Sequence, residues 1–151
     1  MLSTKTPSTN PSPFLRSAEF GRERRLRRRV DFLRVQGAHQ RVTSAHFYFL
    51  VDASALGPDA ESRLGVVVTK KIGNAVARNR VKRLCRECFR RCEEMLPRGV
   101  DLVMIARSGA PELALADVEI EWRRVNAALQ KRCETAKKPA GSVSTTHVRH
   151  T

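Results

Sequence analysis

Long apolar runs are missing from this chain. Hydrophobic residues make up 41% of its 151 residues, yet no stretch approaches the ~18 residues needed to cross a bilayer as a helix, which excludes a helical membrane span. Cysteine is sparse: Cys85, Cys88, Cys92 and Cys133 are all there are, with no secretory signal ahead of them. Reduced thiols and a cytoplasmic setting are therefore expected rather than a disulfide framework. The motifs of hydrolases and nucleotide binders are also missing, with no HExxH, nucleophile elbow, P-loop or dinucleotide fingerprint. His147 and His150 fall in a loose tail, and His39 and His46 have no patterned partner. The expectation is a polypeptide with no catalytic residues, no metal and no cofactor of its own, acting on no small-molecule substrate.

Acidic residues are the last scarcity. Fifteen Asp and Glu stand against 29 Lys and Arg, a formal charge of +14, which points to a polyanionic partner, nucleic acid first. The excess is concentrated. Between Gly21 and Arg41, eight basic residues (Arg22, Arg24, Arg25, Arg27, Arg28, Arg29, Arg34, Arg41) face only Glu23 and Asp31, a local +6. Between Thr69 and Arg91, nine (Lys70, Lys71, Arg78, Arg80, Lys82, Arg83, Arg86, Arg90, Arg91) face only Glu87, a local +8. The rest of the chain balances at 12 of each sign, so two defined electrostatic footprints are expected.

One domain of about residues 21–134 is predicted between two loose segments, a Pro/Ser/Thr-rich basic arm over 1–20 and a tail over 135–151. Within it, Arg25 to Gln36 reads as a short helix, with Leu26, Val30, Leu33, Phe32 and Val35 on its apolar edges and Gly37 at its end. His46 to Asp52 and Arg63 to Thr69 read as strands and as natural hairpin partners, with a weaker strand around Gln40 to Thr43. Asn74 to Leu96 reads as a long helix stopped by Pro97 and Gly99. Asp101 to Arg107 is an apolar run suited to a buried central strand. Ala114 to Cys133 closes the domain as a helix with Val118, Trp122, Val125 and Leu129 on one face. The order α-β-β-α-β-α describes an α+β domain, one sheet of about four strands covered by helices.

On a helical wheel centred on Val81, the residues Ala77, Leu84, Cys85, Cys88, Cys92, Met95 and Leu96 share one face. Lys82, Arg83, Arg86 and Arg90 lie opposite. The spacing Cys85-x2-Cys88-x3-Cys92 invites a zinc reading, but it sets all three sulfurs on the stripe that must pack on the sheet, with no fourth ligand adjacent. Small buried hydrophobes are the better assignment. Lys70, Lys71, Arg78 and Arg80 crowd the helix N-terminus, where backbone N–H groups already make the potential positive. That placement is unfavourable for folding and sensible if a phosphodiester backbone sits there. Arginine supplies bidentate donors for phosphate, and Asn79 can both donate and accept toward a base edge or a 2′-hydroxyl.

The run from Lys70 through Asn74, Arg78-Asn79-Arg80, Lys82 and Arg83 to Arg86-Glu87 resembles the signature of the bacterial ribonuclease P protein subunit. Supporting pieces occur in order: Arg25-Leu26 and Asp31-Phe32 before it, Arg63-Leu64-Gly65-Val66 leading in, and Asp101-Leu102-Val103 with Ile105-Ala106-Arg107 after it. The resemblance covers residues 22 to 133 and implies an accessory protein that joins a catalytic RNA in removing 5′ leaders from precursor tRNA. It implies that the RNA, with its Mg²⁺ ions, performs the hydrolysis. It also implies the fold of ribosomal S5 domain 2-like proteins, with a left-handed crossover. Lys70, Lys71, Asn74, Arg78, Asn79, Arg80, Lys82, Arg83, Arg86 and Arg90 then contact the catalytic RNA. Arg25, Arg28, Phe32, Gln36, Tyr48 and Leu50 line a cleft for the single-stranded leader, where stacking on side chains tolerates any base. Gln36 and Leu50 depart from the aromatics usual at their positions. The alternative from another class is a ribosomal-type or RNA-chaperone protein that binds RNA without a processing role.

Overall fold

The computed structural model describes residues 22–138. The expected N-terminal arm and most of the expected C-terminal tail lie outside them. Four strands, β1 (Arg41–Thr43), β2 (Phe47–Ala53), β3 (Arg63–Val67) and β4 (Val100–Ala106), form one sheet in the order β1-β2-β4-β3. Three helices cover it: α1 (Arg29–Gly37), α2 (Ala75–Cys92) and α3 (Leu115–Lys137).

The expected hairpin between the second and third strands does not form. β4 lies between them, antiparallel to β2 and parallel to β3. The reason is apolar content on both faces: Leu102, Val103 and Met104 are all fully buried, and a strand sealed above and below belongs in the sheet's centre. The weak strand is real, since β1 pairs with β2 through Arg41↔Leu50 and Thr43↔Tyr48.

Period-two alternation sorts the strands into two cores. Phe47, Phe49, Val51, Leu64, Leu102 and Met104 face α2 and α3 in the main core, joined by Val81, Cys85, Cys88, Cys92, Trp122 and Leu129. Trp122 meets Phe49 edge-on at 5.6 Å between centroids, a favoured aromatic geometry. Phe89, which is not among the residues on the wheel's apolar face, is fully buried there too. All four cysteine thiols are buried and free. Burial pushes the Cys85 thiol up and raises that of Cys133 to about 12, so these sulfurs serve as packing groups.

The opposite face carries a smaller core of Leu26, Val35, Leu50 and Val103, with Phe32, Tyr48, Val67 and Ile105 half-buried at its margin. α1 covers only part of it. The helix begins four residues later than its periodicity predicts because Arg25 and Leu26 run alongside β3 instead, Arg25 bridging Leu64 and the Leu26 N–H donating to the Leu64 carbonyl at 2.8 Å. Only the Phe32/Val35 edge of α1 packs on the sheet. Val30 and Leu33, expected on an apolar edge, are 57% and 52% exposed.

At one end of this face an ionic cluster fixes α1. Arg34 donates to Asp52 (3.0 Å), the Ala53 carbonyl (2.7 Å) and Asp101 (2.7 Å), and Arg63 donates two bonds to Asp101 at 3.1 and 2.9 Å. Asp101 is fully buried. Burial alone would lower the Arg34 pKa, but its bonds to Asp101, Asp52 and Asp31 outweigh this and raise it. Both guanidinium groups at this end are paired in place.

Candidate nucleic-acid interface

The α2 N-terminus is built by local sequence. A 3-10 turn over Lys70–Ile72 leads through Gly73 to Asn74, whose side-chain oxygen accepts the Ala77 N–H at 2.9 Å, the geometry of an N-cap. Lys70, Lys71, Asn79, Arg80 and Arg83 are exposed, and Arg78, Lys82, Arg86 and Arg90 half-exposed. The structure thus brings all ten residues expected to meet the catalytic RNA onto one helix face and its approach loop. No carboxylate salt-bridges Lys70, Lys71, Arg78, Lys82, Arg83 or Arg86 among the described residues.

The ten are not equivalent. Arg78 donates to the Gly73 carbonyl at 2.8 Å, bracing the turn that precedes the helix. Arg80 reaches across to the loop before α3 and donates to the carbonyls of Pro111 (3.0 Å) and Leu113 (2.8 Å). Arg90 pairs with Glu87, its neighbour one turn back, and so presents a compensated charge. Lys82 and Arg83 carry no such commitment. A shallow groove lined by Arg80, Arg83, Leu84, Glu87 and Leu115 runs beside them. Arg86 is held below the ordinary arginine pKa by partial burial, then by the charges of Arg25 and Arg83, so like charges meet where α2 approaches the segment before α1.

The second expected surface lies on the sheet face that α1 half covers. Phe32 projects from α1 onto β3 at Gly65, where a Cβ would stand 2.5 Å from the ring's Cε1. Glycine in a strand interior here permits close approach of a ring to the backbone. Tyr48 stands on the same face, flanked by the guanidinium groups of Arg41 and Arg107 at 5.1 and 4.8 Å from its ring centroid. Both distances suit cation–π attraction. Leu50 is 6% exposed beneath α1, so it forms the floor under the cleft and offers no stacking surface. Gln36 sits half-exposed on α1 one turn after Phe32, and Arg28 is exposed just ahead of the helix. Phe32 and Tyr48 are thus both half-buried, the first packed on Gly65 and the second between two guanidinium groups.

Arg41 and Arg107 were not singled out for this surface by sequence reasoning. Strand parity would have found Arg41, since β1 sets it on the face of Tyr48's neighbours. Nothing local signals Arg107, which is oriented by a bond from its Nη1 to the Ser44 carbonyl at 2.5 Å. His46, which lacked a patterned partner, finds one 75 residues away. Its Nδ1 bonds Glu121, whose other oxygen accepts the His46 N–H (3.0 Å) and the Ser44 hydroxyl (2.6 Å). Burial would raise the Glu121 carboxyl, but these bonds outweigh it and hold the group below the usual carboxylate range. The serine bonds the carboxylate and not the imidazole, so this is a strut between the β1–β2 turn and α3 rather than an activated nucleophile.

A basic helix face beside a half-open aromatic sheet face can grip phosphates on one side and unpaired bases on the other. Comparison with known proteins identifies the family. A family profile described as Ribonuclease P matches residues 20–131. The chain is 43% identical over 99 residues to the ribonuclease P protein component of Brevibacillus brevis, covering 65% of this chain and 76% of that one. It is 43% identical over 94 residues to that of Desulfovibrio desulfuricans, covering 62% and 72%. Among solved structures, the RNase P protein from Thermotoga maritima superposes with a TM-score of 0.60 at 34% identity, covering 71% of this chain and 96% of that one. A Staphylococcus aureus RNase P protein superposes with a TM-score of 0.59 at 28% identity, covering 68% and 91%.

Proposed function

The chain belongs to the ribonuclease P protein family, and from that premise we propose that this tRNA-processing subunit grips the catalytic RNA through α2 and the 5′ leader of precursor tRNA through the α1–sheet cleft. Hydrolysis then falls to the RNA and the Mg²⁺ ions it holds, and the protein raises the efficiency of substrate capture. The bacterial cytoplasm is the compartment. The observation that carries the reading is the uncompensated cationic face of α2, where Lys70, Lys71, Lys82 and Arg83 are left without a carboxylate partner among the described residues. Stacking in the cleft is sequence-tolerant, as binding to leaders of varied sequence requires.

Cleavage of a precursor tRNA at low Mg²⁺ tests this, with catalytic RNA alone, protein alone and both together. Efficient cleavage only by the mixture is expected. Cleavage by the protein alone would make it a nuclease. A protein that binds RNA and adds nothing to the reaction would be an RNA chaperone. Phe32→Ala or Tyr48→Ala should weaken affinity for precursor more than for mature tRNA, by several-fold. An equal loss for both substrates would sink the leader assignment.

A further inference from the structure

The balance of charge outside the two basic segments conceals a third basic face. α3 opens with three acids and no bases up to Glu121, then from Trp122 to Lys138 carries Arg123, Arg124, Lys131, Arg132, Lys137 and Lys138 against Glu134 alone, a local +5. In sequence the two halves nearly cancel. In the structure they do not, because two of the three acids are committed elsewhere: Glu119 takes Arg91 at 2.5 Å and Glu121 takes Ser44 and His46, while the exposed Asp117 caps the helix start by accepting the Ala114 N–H at 2.9 Å. The cations remain. Arg123, Arg124, Lys131 and Arg132 are all exposed and none has a hydrogen-bond or salt-bridge partner for its side chain among the described residues.

Their spacing gives the face a shape. Arg124 and Lys131, two turns apart, mark its midline about 10 Å from each other, with Arg123 and Arg132 on its flanks. Between them lie Ala127 and Ala128, both exposed, which keep the centre flat. The apolar stripe of the same helix (Val118, Trp122, Leu129, Cys133) is buried in the main core, and the single large apolar side chain left outward on it among the described residues, Ile120 at 45% exposure, is far short of the apolar face that an amphipathic membrane helix requires. Guanidinium and ammonium groups around a flat centre suit a backbone of phosphates.

We propose that the outer face of α3 is an additional RNA-docking surface, separate from the α2 face and the α1 cleft, that contacts the phosphate backbone of an RNA duplex. The subunit thereby joins two RNA elements. The inference rests on the reading of this chain as an RNA-binding subunit.

The test is a salt-dependent binding titration of the full chain against the catalytic RNA. It compares wild type, a quadruple variant (R123Q, R124Q, K131Q, R132Q) and an α2 variant (K82Q, R83Q). The quadruple variant should bind at least about tenfold more weakly near physiological salt, with its log–log salt slope shallower by about 2 to 3. Combined with the α2 changes, the two losses should multiply. Ala127→Phe, which alters no charge and raises a ring in the middle of the face, should also weaken binding. If the quadruple variant and Ala127→Phe both match wild type while the α2 variant loses affinity, the α3 face is overturned and the α2 reading stands. If wild type itself does not bind the RNA, the underlying reading falls first. If the quadruple substitutions abolish binding to anionic phosphatidylserine vesicles and leave RNA affinity intact, the face belongs to a membrane and the proposal is wrong.

Discussion

The two sides of this small sheet use arginine in opposite ways. Beneath α1, Arg34 and Arg63 are packed against Asp31, Asp52 and Asp101, and the carboxylate at the centre has no solvent exposure. Along α2, Lys82 is half-exposed and Arg83 exposed, and neither is salt-bridged to a carboxylate among the described residues. The first arrangement holds a helix at a fixed angle and so keeps the cleft ajar; the second leaves its charge for a partner. A basic residue is structural or functional according to whether the tertiary fold brings it an acid, and a count of charges does not distinguish the cases.

The comparison breaks most sharply at Asp101. Asp101→Ala removes the buried carboxylate that Arg34 and Arg63 share, leaving Arg63 only Asp31 at 3.8 Å while Arg34 keeps Asp52 and the Ala53 carbonyl, and should cost about 3 kcal/mol in urea unfolding. A loss under 1 kcal/mol would mean that the cluster is solvated and that α1 is held by packing alone. Gly65→Ala should cost roughly 1–3 kcal/mol, because the new methyl drives the Phe32 ring off the strand, and precursor discrimination should fall with it. A stable variant with intact discrimination would place the ring elsewhere.

Glu121 gives a smaller and pH-dependent effect. Its carboxyl is held below the ordinary value in the fold, so its stabilisation is present above the unfolded carboxylate pKa and is lost as pH falls through the folded one. Glu121→Gln should therefore cost roughly 1–2 kcal/mol at neutral pH and flatten the acid limb of the stability profile below about pH 4.5. A parallel shift at every pH would count against a role for its charge. The smallest effect on stability belongs to the α2 face. Lys82→Gln with Arg83→Gln should stay within about 0.5 kcal/mol of wild type in unfolding, while its RNA-binding salt slope becomes shallower by about 2. Destabilisation without a change of slope would reverse the distinction between the two sides.

Much of this was readable in the chain. Alternation in β2 set Tyr48 and Leu50 against Phe47, Phe49 and Val51, and the cores follow that division. Asn74 marked the start of α2, and the cysteine stripe marked its inner face, although Phe89 escaped because it lies at the stripe's edge. What escaped altogether was non-local. Arg25 and Leu26 have a helical pattern but are drawn into an extended pairing with Leu64, an outcome set by a strand some forty residues away. α3 likewise runs on to Lys137, past the Cys133 end that its apolar period predicted, because Glu134, Thr135 and Lys137 are exposed and the half-buried Ala136 is too small to leave an apolar mark.

The sequence by itself determined the periodic elements, the basic helix with Arg78, Asn79 and Arg80 at its start, and the polyanionic character of the partner, because side-chain period and charge density are properties of neighbouring residues. Only the tertiary structure decided that β4 takes the centre of the sheet, that Leu50 is floor while Tyr48 stands half-buried at the margin, and that Glu119 and Glu121 of α3 turn inward while Arg123, Arg124, Lys131 and Arg132 stay out. Those outcomes depend on which groups meet across 67 or 75 residues of chain, as Arg34 meets Asp101 and His46 meets Glu121. The packing of two sheet faces selects such meetings, and no local pattern records them.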